Sequence, residues 1–195
     1  MAKVTLENLN KIFVSKIGKD VKAVNDFNLL LEDGEILALL GSSGCGKTTT
    51  LRMIAGFETA TSGQIKIGER IVNDLKPADT NVAMAFEGYA LYPPLTVKDN
   101  IAFSLMREKI SKDKVDSKVM EVAELLEITD ILERYPPSIS GGQQQRVSLA
   151  RALVRDSDAL LLDEPMSQLE PQLRAVLRAR AVSYTHLTLP TSYAV

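Results

Sequence analysis

One cysteine, one histidine and no long run of like charge are the scarcities of this 195-residue sequence, and each excludes something. Cys45 has no second cysteine to pair with, so an internal disulfide is excluded and a reducing cytosolic compartment is the default expectation. Twenty-three basic residues against 25 acidic ones give a formal net charge of −2. Neither a basic footprint nor an acidic tail is present, and no nucleic acid is expected as a partner. No apolar run approaches the roughly 20 residues that cross a bilayer, and no charged-then-apolar leader opens the chain. Any membrane role is therefore expected to pass through a partner. Internal repeats and low-complexity linkers are also missing.

What is present is a hydrophobic content of 45%, enough to build a real core in a chain of single-domain length. Short apolar runs at 4–9, 21–31, 35–40, 64–68, 81–86 and 158–163 read as strands, several continuously apolar as in a buried parallel sheet. Between Ser111 and Glu127, Val115, Val119, Val122 and Leu126 recur at helical spacing. The expected layout is an α/β core with an antiparallel edge near the N-terminus and a mainly helical insertion from about Glu87 to Ile139.

Two stretches in this layout carry chemistry. Gly41, Ser42, Ser43, Gly44, Cys45, Gly46, Lys47, Thr48 and Thr49 follow an apolar strand and open a helical pattern, with glycines, lysine and threonine in every fixed place of the phosphate-binding loop. Glycines let the backbone turn its N–H groups onto phosphates, and the following helix presents its positive end. Lys47 is expected to reach the β- and γ-phosphates and the Thr48 hydroxyl to bind Mg²⁺. A glycine-rich turn alone would not need Lys-Thr, whereas Cys45 occupies a free position and reads as a small filler. The second stretch, Ala159 to Pro165, is an apolar strand ending in Asp163 and Glu164. Taken alone it is a strand entering a solvated loop; beside a phosphate loop it is a Walker B candidate, Asp163 holding Mg²⁺ through water and Glu164 polarising the attacking water.

A third stretch, Ser138 to Leu153, narrows the class. Ser140, Gly141, Gly142 and Gln143 open a helix, and Ser-x-x-Gln satisfies a capping box. Capping has no use for two glycines, whereas the close approach of a phosphate does. Here the chain resembles the ATP-binding subunit of an ABC transporter, whose signature Leu-Ser-Gly-Gly-Gln has Ile139 in its first place. The resemblance runs from about Val4 to Arg174 and is closest to importers of sugars, polyols and sugar-phosphates. It implies a P-loop NTPase core of ABC type, ATP and Mg²⁺ as ligands, and a head-to-tail dimer in which Ser140, Gly141, Gly142 and Gln143 serve the partner's nucleotide. Phe13 matches the place of the aromatic residue that stacks on adenine, although a buried core phenylalanine would look identical in sequence.

The same resemblance places Glu87 where the family has the glutamine that touches Mg²⁺ and the attacking water. A carboxylate can ligate a hard cation, but it adds negative charge and donates no hydrogen bond unless protonated. Residues 87–103 would dock the transmembrane permease subunits through Tyr89, Leu91, Tyr92, Pro93, Pro94 and Leu95, with an external solute-binding protein completing the system and the ATPase lying on the cytoplasmic face of the membrane. Glu170 stands where an aspartate commonly touches the opposite subunit. The expected function is ATP hydrolysis driving import of a small solute; the alternative is a nucleotide-binding module without effective hydrolysis.

His186, in Ser-Tyr-Thr-His-Leu, imitates the family's switch histidine. The stretch between Glu164 and His186 is too short for the helix, complete strand and turns that the family places there. Residues 171–180 begin as a helix, after which the pattern turns β-branched and rich in Ser and Thr, with Pro190 and no periodicity. Residues 182–191, VSYTHLTLPT, are similar to the translation of a transposon-end adapter used in sequencing libraries. The expectation is an ATPase domain over 1–180, with a helical subdomain at about 87–157, followed by a non-native tail over 181–195 in which His186 has no role and the C-terminal end of the cassette is cut short.

Overall fold

Strand β1 (Val4–Phe13) sets the geometry of the N-terminal part of the chain. Val4 and Leu6 point inward, and strict alternation would next bury Asn8; instead burial resumes at Leu9 and Lys11. Asn8 sits at φ +48, a left-handed conformation that asparagine tolerates better than most residues. The register of β1 against both neighbouring strands shifts across this position. It is a bulge, and one extra residue reverses which face every later side chain takes.

Side chains from both strands repair the interrupted ladder. The Asn8 backbone N–H donates to Asn28 Oδ1 at 2.8 Å, and the Asn10 amide donates to the Asn8 carbonyl at 2.8 Å. Across from them, Asp26 at φ +47 donates its N–H to Asn10 Oδ1 at 3.0 Å, and the Asn28 amide donates to the Asp26 carbonyl at 3.0 Å. Gly63 passes so close that an added Cβ would lie 2.4 Å from the Asn8 carbonyl oxygen. Only glycine fits there, at φ +92.

The computed structural model describes residues 1–15, 18–85, 90–106, 108 and 110–163. Glu87, Tyr89, Glu164, Glu170, the helix expected over 171–180 and the 181–195 tail with His186 lie outside the described residues. The described residues divide into two compact units, Met1–Val82 with Ser157–Leu161, and Ala83–Asp156 with Leu162 and Asp163.

In the first unit, β1 is central to an antiparallel sheet of order β2-β1-β3-β4, with β2 at Val21–Leu31, β3 at Ser62–Ile67 and β4 at Arg70–Ile71. Helix α1 (Lys47–Ile54) buries Met53 and Ile54. This is the antiparallel edge that the sequence led us to expect, with β1 four residues longer than the run at 4–9. The strand expected at 35–40 does not form: among the described residues only an isolated bridge at Leu40 is made, and Ile36 and Leu40 are 44% and 53% exposed. Apolar character is a property of the segment, whereas a ladder needs a partner edge. Strands β5 (Val82–Ala85) and β6 (Ala159–Leu162) form a separate two-stranded sheet. The Asp158 N–H meets the Asn81 carbonyl at one end and the Asp163 N–H meets the Ala85 carbonyl at the other, so the strands run parallel.

The second unit is helical: α2 (Val97–Ala102), α3 (Lys112–Leu125) and α4 (Gly141–Leu153), joined by short 3₁₀ turns. α3 buries Val119, Val122 and Ala123, with Leu126 just beyond its end. Its C-terminus is closed by a Schellman motif in which Glu127, at φ +54, donates to the Glu124 carbonyl and Ile128 to the Ala123 carbonyl. No described helix is long and apolar enough to cross a membrane.

Candidate functional site

The loop from Gly41 to Gly46 leads into α1 without any side-chain cap at its N-terminus, and the first turn of α1 contains no acidic residue. Gly44 and Gly46 adopt φ +83 and +97. At Gly46 the requirement is double, since a Cβ would lie 2.3 Å from the Ala23 carbonyl oxygen and 3.2 Å from Val24 Cγ2. Thr50 fixes the same residue from inside the helix, its N–H and hydroxyl both donating to the Gly46 carbonyl, at 2.8 and 2.9 Å. Gly41, Ser42, Ser43, Gly44 and Thr48 are exposed, while Cys45, Gly46, Lys47 and Thr49 are half-buried.

The Lys47 ammonium curls over its own loop, donating to the Gly41 and Ser42 carbonyls at 2.8 and 2.9 Å, with Cys45 Sγ at 3.6 Å. Cys45 thus borders the ammonium, which its reading as a filler did not include. A positive helix end, a loop of left-handed glycines and a lysine together form a cradle for a polyanion.

In the same unit lies the aromatic candidate. Phe13 is 41% exposed, so the reading of Phe13 as a core residue fails. Beside it, Lys11 is only 8% exposed and places its ammonium 4.8 Å from the centre of the Phe13 ring. That ammonium donates to Glu58 Oε1 at 2.7 Å and to the Thr59 carbonyl at 2.8 Å. Hydrogen bonding from Lys11, the largest influence, holds the Glu58 carboxyl below its ordinary value of 4.5. Sequence reasoning missed Lys11 because strict alternation puts it outward; the bulge at Asn8 turns it in.

In the helical unit, Ser140 and Gln143 form the capping box: Ser140 Oγ accepts from the Gln143 N–H at 3.3 Å and Gln143 Oε1 accepts from the Ser140 N–H at 3.0 Å. Gly141 and Gly142 are exposed, and a Cβ at Gly142 would meet no atom within 4 Å. Packing among the described residues therefore gives no reason for that glycine. Asp163 follows β6 and is half-buried.

The stretch 90–95 is held by two residues that the sequence did not single out. Asn100, 0% exposed, accepts from the Tyr92 N–H at 2.8 Å and donates to the Tyr92, Leu95 and Thr96 carbonyls at 3.0, 3.1 and 2.9 Å. Arg151 of α4 donates to the Ala90 carbonyl at 2.6 Å and sets its guanidinium 5.0 Å from the Tyr92 ring centre. Burial pushes the Arg151 pKa down, and Tyr92 opposes that shift. Tyr92 in turn packs on Phe103, ring centres 4.6 Å apart and tilted by 47°. The exposed Tyr92, Pro93 and Pro94 and the half-buried Leu91 and Leu95 form the surface of this stretch.

Comparison with known proteins identifies the cassette. The family described as ABC transporter matches residues 24–167. The chain is 47% identical over 178 residues to the sn-glycerol-3-phosphate import ATP-binding protein UgpC of Ruegeria pomeroyi, covering 91% of this chain and 49% of that protein. It is 49% identical over 185 residues to the trehalose/maltose import ATP-binding protein MalK of Thermococcus litoralis, covering 92% and 48%. It thus spans about half the length of the curated relatives it matches. Among solved structures, a dimeric ATP-binding cassette in a post-hydrolysis state with ADP and Pi superposes with a TM-score of 0.83 at 27% identity, over 92% of this chain and 83% of that one. On its sequence and its fold, the chain belongs to the ABC transporter family.

Proposed function

We propose that this chain is the nucleotide-binding part of an importer ATPase, coupling ATP hydrolysis to uptake of a sugar, polyol or sugar-phosphate. The observation that carries the reading is the cradle at Gly41–Thr49, where Gly46 is forced into a left-handed turn beneath the Ala23 carbonyl and delivers Lys47 and Thr48 to the start of α1. The solute class rests on the relatives, whose names are those of import ATP-binding proteins for such compounds.

In this reading Lys47 and the loop N–H groups offset the charge of the phosphates, and Phe13 offers a face for the adenine base. Mg²⁺ suits the donors at hand. Thr48 and Asp163 each offer a hard oxygen of the kind that Mg²⁺ takes beside phosphate and water. When bound, Mg²⁺ supplies charge neutralisation at the phosphate oxygens. Glu164 would orient and polarise the attacking water, and Glu87 would be the further carboxylate available to that water and to the metal. Ser140, Gly141, Gly142 and Gln143 serve the nucleotide of a second ATPase subunit; the empty space over Gly142 supports this, since it leaves room for a phosphate from outside the chain.

Permease subunits dock along 87–103, an external solute-binding protein delivers the cargo, and the assembly lies at the cytoplasmic face of the membrane. The test measures ATP binding and turnover in the full-length protein and in its Glu164→Gln variant. Retained binding with turnover down about 10²- to 10³-fold supports the reading. Binding with no turnover in either protein establishes instead a nucleotide-binding module without hydrolysis.

A further inference from the structure

Lys11 has no place in the reading above, and its surroundings are unusual for a strand lysine. Its ammonium is buried, and two of its donors are committed to the Glu58 carboxylate and the Thr59 carbonyl. The remaining direction faces the Phe13 ring at 4.8 Å. One face of that ring therefore carries a fixed cation, while Phe13 as a residue stays 41% exposed, which leaves the face away from Lys11 as the one for a ligand to reach.

A buried cation against an aromatic face does two things. It restrains the ring, because tilting away forfeits the attraction to the ring quadrupole. It also draws π density toward itself, leaving the far face less negative and a better stacking surface for an electron-rich purine. Glu58 balances the charge, so the ammonium acts on the ring at short range without adding net charge beside a nucleotide.

We propose that Lys11 is a positioning residue for base recognition: clamped by Glu58 and Thr59, it holds Phe13 from behind and presents the ring's open face to a purine. This rests on the reading of Phe13 as the adenine platform, and the experiment separates the two. Binding of ATP and of inorganic tripolyphosphate, each with Mg²⁺, is measured by calorimetric titration for the full-length protein and for Lys11→Met, Lys11→Arg, Glu58→Gln and Phe13→Ala.

Tripolyphosphate fills the phosphate cradle but has no base, so damage confined to the platform spares it. The expected result is ATP affinity weakened about five- to thirtyfold in Lys11→Met, with tripolyphosphate affinity unchanged and Lys11→Arg restoring ATP binding. Glu58→Gln, which keeps the cation but loosens its clamp, gives a smaller loss with the same contrast and serves where Lys11→Met does not fold. Unchanged ATP affinity in Lys11→Met alongside a loss in Phe13→Ala overturns the role of Lys11 alone. Equal losses for both ligands also overturn it, since they mark a structural role. Unchanged ATP affinity in Phe13→Ala removes the platform reading and the proposal together.

Discussion

Two glycines of this chain look alike in sequence and differ in what holds them. Gly46 is confined by the chain itself, with left-handed φ and the Ala23 carbonyl 2.3 Å from any Cβ. Gly46→Ala is expected to cost about 2–3 kcal/mol in urea unfolding and to abolish ATP binding; an alanine variant with native midpoint and affinity would contradict the cradle geometry. Gly142 meets nothing within 4 Å and lies in the first turn of α4, where alanine is the better helix former. Gly142→Ala is expected to leave stability unchanged or raise it by up to about 1 kcal/mol, while turnover in the full-length protein falls; full turnover would remove the case for a phosphate approaching there. Both glycines were legible as motif members. Asn100 was not, because an asparagine inside a short helix reads as solvent-facing, and only the fold of 92–96 supplies the backbone groups that it satisfies.

Among the elements, α3 and α4 were legible from spacing and capping residues, since both signals are local. The 35–40 strand was misread because pairing is decided elsewhere in the molecule, and the length of β1 was underestimated because Asn8 and Asn10 look like a strand end. In the structure they are the residues that carry the strand onward through its bulge. One element ends on an unfavourable residue. Glu127 holds the left-handed position of the Schellman motif that glycine fills at least cost. Its carboxylate lies 3.5 Å from Arg146 Nη1, but the Glu127 side chain is 70% exposed, and a solvated carboxylate at that distance contributes little. Glu127→Gly is therefore expected to stabilise the protein by about 0.5–1 kcal/mol, read as a raised thermal midpoint; a lowered midpoint would mean that the ion pair outweighs the backbone strain.

Over the whole molecule, the Lys11–Glu58 pair links pH to stability. The Glu58 carboxyl is held below 4.5 in the folded protein, so its contribution is complete above that value and is lost as pH falls through the lower folded value. The stability difference between the wild type and Glu58→Gln is expected to shrink steadily below pH 4.5 and to be flat above it; a constant difference through that window would show that the pair does not titrate with folding. What the sequence conveyed at this scale was an α/β cassette with an antiparallel edge and a helical insertion. The facing of individual strand residues stayed hidden, because it depends on a count that the bulge alters. That count also limits how the chain can change in length. At Asn8 the pleat passes over one residue, so Asn8 is the position in β1 where a residue can be lost while Leu9 and Lys11 keep their facing. Loss of Asn10 instead would turn over everything after it, setting the lysine and the phenylalanine on the wrong side. For this strand, substitution is a question of chemistry, but insertion and deletion are a question of arithmetic, odd or even.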